Sequence, residues 1–221
     1  MHEALRRSAS HVLVADVTDP ALDEQAAHHL ARVLRLRDGA IVTVTDGAGR
    51  WRPCRLVGRD VEPDGDVLAE PVPPPVTVAV APPKGERLDW LVRKCTEVGV
   101  TELVLVEAER SVVRWDAARA AKHLTRLRRI AAEAAMQSRR VWLPVVAGPV
   151  PAAEALADAL VAEPGGRPVR QGDTRIAVGP EGGWTPAELA YASERVSLGP
   201  YVLRVETAAV VAATLMTAVA A

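Results

Sequence analysis

Arg175-Ile176-Ala177-Val178-Gly179-Pro180-Glu181-Gly182-Gly183 is the stretch whose reading decides the fold. Its first four residues form an apolar run too short for an exposed helix, so they read as a strand. After the glycines comes Thr185-Pro186-Ala187-Glu188. Threonine followed three residues later by glutamate is a capping box, and proline suits the first helical position, so a helix starts there. A strand, a glycine loop and a helix N-terminus present backbone N–H groups at the end of a sheet, where open α/β sheets bind ligands. Leu198-Gly199-Pro200-Tyr201-Val202-Leu203-Arg204-Val205-Glu206-Thr207 repeats the arrangement shortly afterwards. Two such loops so close together imply a ligand held mainly by backbone.

The chain around these loops alternates between strand and helix. Residues 76–81 are β-branched and strand-like. Residues 86–98 carry Leu88, Leu91, Val92, Cys95 and Val98 at helical spacing and stop at Gly99. A strand at 103–106, a long helix at 117–135, a strand at 141–146 and a helix at 151–162 follow. A Pro/Gly-rich loop over 163–173 then leads to the two glycine segments and an apolar last helix, which reads as buried. Such alternation over 76–221 makes a parallel α/β sheet.

Upstream, Pro71-Val72-Pro73-Pro74-Pro75 is a stiff linker. It sets off 1–72 as a small β-rich domain. There, 11–15 reads as a strand, and 21–36 as a helix with Leu30, Val33 and Leu34 on one face. Strands at 41–45 and 51–57 flank the hairpin signal Asp46-Gly47, and another fits 66–70.

Composition narrows the function. Hydrophobic residues make up 49% of the 221, but there is no Phe, so the core is built from Val, Leu, Ile and Ala. The two cysteines, Cys54 and Cys95, supply neither a metal spacing nor a disulfide framework, and no metal is expected. Residues 1–7 lack the apolar core of a signal peptide, and the uncharged tail is shorter than the ~20 residues that span a bilayer. The expectation is a cytoplasmic protein without a membrane partner.

Net charge is −1, so any polyanion must meet local patches. Arg32, Arg35, Arg37, Arg50, Arg52, Arg55 and Arg59 face only Asp38 and Asp46 in their stretch. Arg110, Arg114, Arg119, Lys122, Arg126, Arg128, Arg129, Arg139 and Arg140 face Asp116 and Glu133. Glutamate partners at helical spacing are nearly absent, which favours a polyanion over a surface laced with ion pairs. With few aromatics, RNA contact would be to phosphate and shape.

The first glycine loop is neither a P-loop nor a dinucleotide fingerprint. Glu181 repels phosphate and suits a ligand with cationic and hydroxyl groups, such as S-adenosylmethionine. Together, 178–183 and 198–208 resemble the RsmE family, the 16S ribosomal RNA uridine-N3 methyltransferases of the SPOUT superfamily. Lys84-Gly85-Glu86-Arg87, 94–100, Glu109-Arg110-Ser111, 134–140 and the run from His29 to Gly39 match in order. The resemblance implies an N-terminal PUA-like β-barrel that helps hold RNA and a C-terminal SPOUT domain with a trefoil knot. It also implies a homodimer, and 16S ribosomal RNA, within the 30S subunit, as partner.

It assigns Gly179, Pro180, Glu181, Gly182 and Gly183 to one cofactor loop, and Leu198, Gly199, Leu203 and Arg204 to the other. Arg32, Arg35, Arg37, Arg126, Arg129 and Arg139 become the RNA contacts. Tyr201 stands where the family usually has Arg, and Met136 where an acidic residue is common. Methylation at uridine N3 requires loss of the imide proton and support for the anion. Arg204 is the candidate for the second task and Glu206 for the first, although a first-turn carboxylate also suits a helix dipole. The alternatives are a non-catalytic RNA-binding or ribosome-assembly factor and a SPOUT enzyme for another nucleoside. The intact loops argue against the first.

Overall fold

The computed structural model describes residues 1–220, which fall into two compact units. The first is Met1–Pro73 with Ala132–Leu143, and the second is Pro74–Ala131 with 144–220.

In the first unit, α1 (Glu3–Arg7) precedes β1 (Ser10–Leu13), which pairs in parallel with β2 (Ile41–Thr45). β2 turns back at Asp46 onto the antiparallel β3 (Arg50–Val57), as the hairpin signal predicts. β4 (Asp60–Pro63) and the short β5 (Leu68–Ala69) share the other edge of β3. Val12, Val42, Val44, Cys54 and Leu56 form the core with Leu30. The helical stretch departs from expectation. α2 (Glu24–His28), capped by the Asp23 carboxylate, passes into a π-helical turn over His29–Val33. The wider winding keeps Leu30 buried but turns Val33 out to 61% exposure, with Leu34 also exposed.

Residues 132–143 belong with this unit, although the sequence places the whole span after 76 in the second domain. Their contacts are specific. Met136 Sδ accepts from the Leu13 N–H at 3.3 Å, Arg139 donates to the Ser8 carbonyl at 2.8 Å, and His11 bridges Thr43 Oγ1 and the Arg140 carbonyl.

The second unit is a six-stranded, all-parallel sheet. Its strands are β6 (Thr77–Val80), β7 (Glu102–Glu107), β8 (Val145–Pro151), β9 (Leu160–Pro168), β10 (Arg175–Val178) and β11 (Glu194–Ser197), in the spatial order β11-β9-β10-β6-β7-β8. Its central strands are buried on both faces, hence their unbroken apolar runs. Side-chain size sorts the two layers. Val78, Val80, Leu103, Leu105 and Ile176 meet α3 (Arg87–Val98), α4 (Ala117–Gln137) and α7 (Val205–Ala220). On the opposite face Ala79, Ala177 and Val161 admit the small residues Ala152 and Ala155 of α5 (Ala152–Leu156). α3 ends at Gly99, whose φ of 113° the left-handed cap requires. Burial pushes the Cys54 and Cys95 thiols up, to about 11 and about 12, so neither is a ready nucleophile.

Three spans differ from the sequence reading. The strand expected over 141–146 is β8, which starts only at Val145 and runs to Pro151, where it pairs with β7. The helix expected over 151–162 stops at Leu156, and Asp158 takes a φ of 59°. The loop expected over 163–173 is largely β9. Val161 pairs with Arg195, the next pair is Arg167 with Val196, and 162–166 bulges out between them. Gly166 permits the return, because a Cβ there would lie 2.6 Å from the Val196 backbone. Arg167 pins it with a bidentate pair to Asp173 and a 2.7 Å bond to Glu194. The last helix is less enclosed than its composition predicts: Thr207, Thr214 and Ala218 are exposed.

Candidate active site

Both glycine loops leave the C-terminal ends of strands in the second unit, one after β10 and one after β11. Between them and the bulge of β9 lies a cavity of about 440 Å³, within the range of small-molecule sites. Its walls are Ala162, Glu163 and Pro164 of the bulge, Val178 to Glu181 with Gly183 and Trp184, Ser197 to Gly199, Tyr201 to Val205, and Ala208. Gly179, Pro180, Glu181, Gly183, Leu198, Gly199, Leu203 and Arg204 are therefore brought together as expected. Gly182 and Glu206 are not part of the wall.

The first loop is tied down. Trp184 packs over Gly179 so closely that a Cβ there would sit 2.8 Å from its Nε1. Beyond it the capping box of α6 (Pro186–Leu189) forms: Thr185 Oγ1 accepts from the Glu188 N–H at 3.3 Å, and Glu188 Oε2 accepts from the Thr185 N–H at 2.8 Å. The other Glu188 oxygen accepts from the Glu109 N–H at 2.7 Å, and Arg110 donates to the Gly182 carbonyl at 3.0 Å. The segment after β7 thus braces the loop from outside, which is why Gly182 faces Arg110 and not the cavity. Glu206, in the first turn of α7, is only 8% exposed and has Oε2 3.9 Å from Arg87 Nη1.

The wall fits S-adenosylmethionine chemically. Its charged side chains are Glu163 and Glu181 against Arg204, a balance that suits sulfonium, ammonium and ribose hydroxyls and disfavours phosphate. The Trp184 indole N–H is buried against Gly179 without a hydrogen-bond partner. Val178, Leu198, Leu203 and Ala208 provide the apolar surface an adenine needs. Trp184 and the 162–164 bulge escaped the sequence reading. The indole resembles any core tryptophan, and the bulge looks like a plain loop until its pairing is known.

The basic clusters divide. Arg32, Arg35 and Arg37 are exposed, and their side chains form no ion pair among the described residues. The second cluster is more committed than its sequence suggests. Arg126 pairs with Asp89, Arg128 donates to the Val146 carbonyl, and Arg139 is held on Ser8. Arg129 is exposed on α4. The partners are distant in sequence, so helical spacing did not reveal them. Among the described residues no group of three His, Cys, Asp or Glu could hold a metal ion, and no helix is long and apolar enough to cross a membrane.

Known proteins bear on this geometry. Residues 70–217 match the family model of the RNA methyltransferase domain, and 22–60 that of the RNA methyltransferase PUA domain. The chain is 36% identical to ribosomal RNA small subunit methyltransferase E of Mycobacterium bovis over 86% of this chain and 83% of that one. It is 37% identical to the Synechocystis protein of the same name, over 84% and 68%. The Neisseria gonorrhoeae enzyme of that name, solved with S-adenosyl methionine, superimposes with a TM-score of 0.76 at 28% identity, covering 92% of this chain and 94% of that one. A Legionella pneumophila protein solved with the same cofactor gives 0.80 at 25% identity, over 96% and 98%. With both domain models matched in order and the two loops intact around one cavity, this chain belongs to the ribosomal RNA small subunit methyltransferase E family.

Proposed function

We propose that this chain is an S-adenosylmethionine-dependent methyltransferase acting on N3 of a uridine in 16S ribosomal RNA. The observation that carries the reading is the cavity at the strand ends, with Glu181 on its wall and Arg204 beside it. When bound, S-adenosylmethionine supplies the methyl group as an electrophile. The chain's own residues position and neutralise. Gly179, Pro180 and Trp184 shape one side of the site, Leu198 and Leu203 the other, so alignment of nucleophile and methyl group supplies much of the rate. Uridine N3 becomes nucleophilic on losing its proton, which spreads charge over O2 and O4. Arg204 is exposed and lines the cavity, so its guanidinium can meet that charge without first breaking an ion pair. Glu206, lying outside the wall, reaches the reaction through its neighbours.

Arg32, Arg35 and Arg37 are proposed to bind phosphate, with Arg129 as a further such residue. Charge removal at the first three should flatten the salt dependence of RNA binding by about one slope unit for each phosphate no longer neutralised. The trefoil knot, a homodimer through the half-buried Val210, Val211 and Leu215 of α7, the assembled 30S subunit as substrate and a cytoplasmic location complete the proposal. The direct test is nucleoside mass spectrometry of small-subunit RNA from cells lacking the protein, repeated with purified protein, 30S particles and labelled cofactor. Loss and restoration of 3-methyluridine is expected. Restoration of a different methylated nucleoside would keep the enzyme and change the target.

A further inference from the structure

Arg87 is the first residue of α3, and it stands where three segments meet. Its Nη1 lies 3.0 Å from Glu181 Oε1 on the first glycine loop and 3.9 Å from Glu206 Oε2 in the first turn of α7. Its Nε is held by the Lys84 carbonyl at 3.3 Å. Glu206 Oε2 is buried and has no hydrogen-bond partner, so the nearby guanidinium is what balances its charge. Glu181 is by contrast half exposed.

We propose that Arg87 is a positioning residue for the cofactor site, holding the Glu181 carboxylate toward the cavity while Glu206 holds Arg87. The assignment rests on the reading of the cavity as the S-adenosylmethionine site. One Glu181 oxygen is taken by Arg87, which leaves the other to accept from a ligand hydroxyl or ammonium. The trio carries two negative charges and one positive, so the site keeps the sign a cationic cofactor needs. Arg87 also ties the first loop to the point where the second loop enters α7. Glu206 then has a role that does not include proton transfer: its carboxylate fixes a cation that fixes a second carboxylate.

Calorimetric titration with S-adenosylmethionine, alongside thermal unfolding, tests the assignment. Arg87→Ala should weaken cofactor affinity by about five- to tenfold, the range for losing one partly exposed charge-assisted hydrogen bond. Arg87→Lys should recover part of that loss. Arg87→Ala also strands the buried Glu206, so its melting temperature should fall. Adding Glu206→Gln to it should restore the melting temperature but not the affinity, which separates positioning from folding. Glu206→Gln alone should weaken affinity less than Arg87→Ala, and its methylation rate should show no recovery at high pH. Affinity in Arg87→Ala equal to wild type would overturn the assignment. So would affinity that returns together with the melting temperature in the double variant, or a Glu206→Gln rate rescued by alkali. Wild-type protein that binds no S-adenosylmethionine would overturn the reading of the cavity itself, a result distinct from all of these.

Discussion

The two glycine loops share a cavity and little else. The loop after β10 is built in: Pro180 and Trp184 are buried, Glu188 and Arg110 brace it, and Arg87 holds its carboxylate. The loop after β11 is anchored only at its ends, where Leu198 and Leu203 pack against the core. Between them Tyr201 and Val202 are 82% and 88% exposed. A site needs both kinds of wall. A cofactor gains affinity from groups already in place, because their ordering is not charged to binding. An RNA base must enter and leave, and the open side is where it can do so. On the proposed reading the braced loop is the cofactor's preformed wall, while the second loop lends the cofactor Leu198 and Leu203 and offers the substrate its exposed middle, with Arg204 at its end.

Removing the cation should give the largest effect. Arg204→Ala is expected to slow single-turnover methylation at least a hundredfold, ~3 kcal/mol of transition-state stabilisation, with cofactor affinity nearly kept. Equal losses of rate and affinity would break the division of labour and make Arg204 a cofactor residue. Gly179→Val comes next. Its side chain enters the space of Trp184, so stability should fall by about 2 kcal/mol and cofactor binding should largely disappear in calorimetry. Glu188→Ala removes the reciprocal half of the capping box, the bond from the Thr185 N–H, and the Glu109 bond, without touching the cavity. A loss of about 2 kcal/mol is expected in denaturant unfolding, with weaker cofactor binding as the loop loosens.

The same kind of change in the open loop should do less. A Cβ at Gly199 meets nothing within 4 Å, so Gly199→Ala carries only the strain of its φ of 142°, about 1 kcal/mol. Stability loss matching that of Gly179→Val would show the second loop to be as tightly built as the first. Tyr201→Ala should leave the melting midpoint within about 0.5 kcal/mol of wild type, since the ring is almost wholly in solvent. A larger shift would mean that the ring is packed in solution.

Much of this site was legible in the chain because its signals are local. Thr185, Pro186 and Glu188 announce a helix start whatever surrounds them, and the cap forms as read. The apolar stripe of α3 and the stop at Gly99 are equally self-contained. The misreadings share a different cause. Pro164, Gly165, Gly166 and Pro168 argue against a strand by propensity, yet after the bulge at 162–166 Arg167 and Pro168 rejoin the sheet because β11 offers pairing at Val196 and Ser197. The arginines of α4 look unpartnered along the helix because Asp89, the partner of Arg126, lies in α3. Glu206 reads as an acid beside a ligand loop, but one position of rotation on α7 puts Val205 in the cavity wall and Glu206 against Arg87.

Local chemistry alone is enough to place most strands, the α6 cap, the two glycine loops and the family they mark, since each depends on residues a few positions apart. Long-range packing chooses among what that chemistry leaves open. It decides which carboxylate shares Arg87, which tryptophan closes over Gly179, and which stretch of weak strand formers is recruited to the sheet. Periodicity along a chain reports that a face is buried. It carries no record of what lies across from that face, and at this site the groups lying across determine what each residue does.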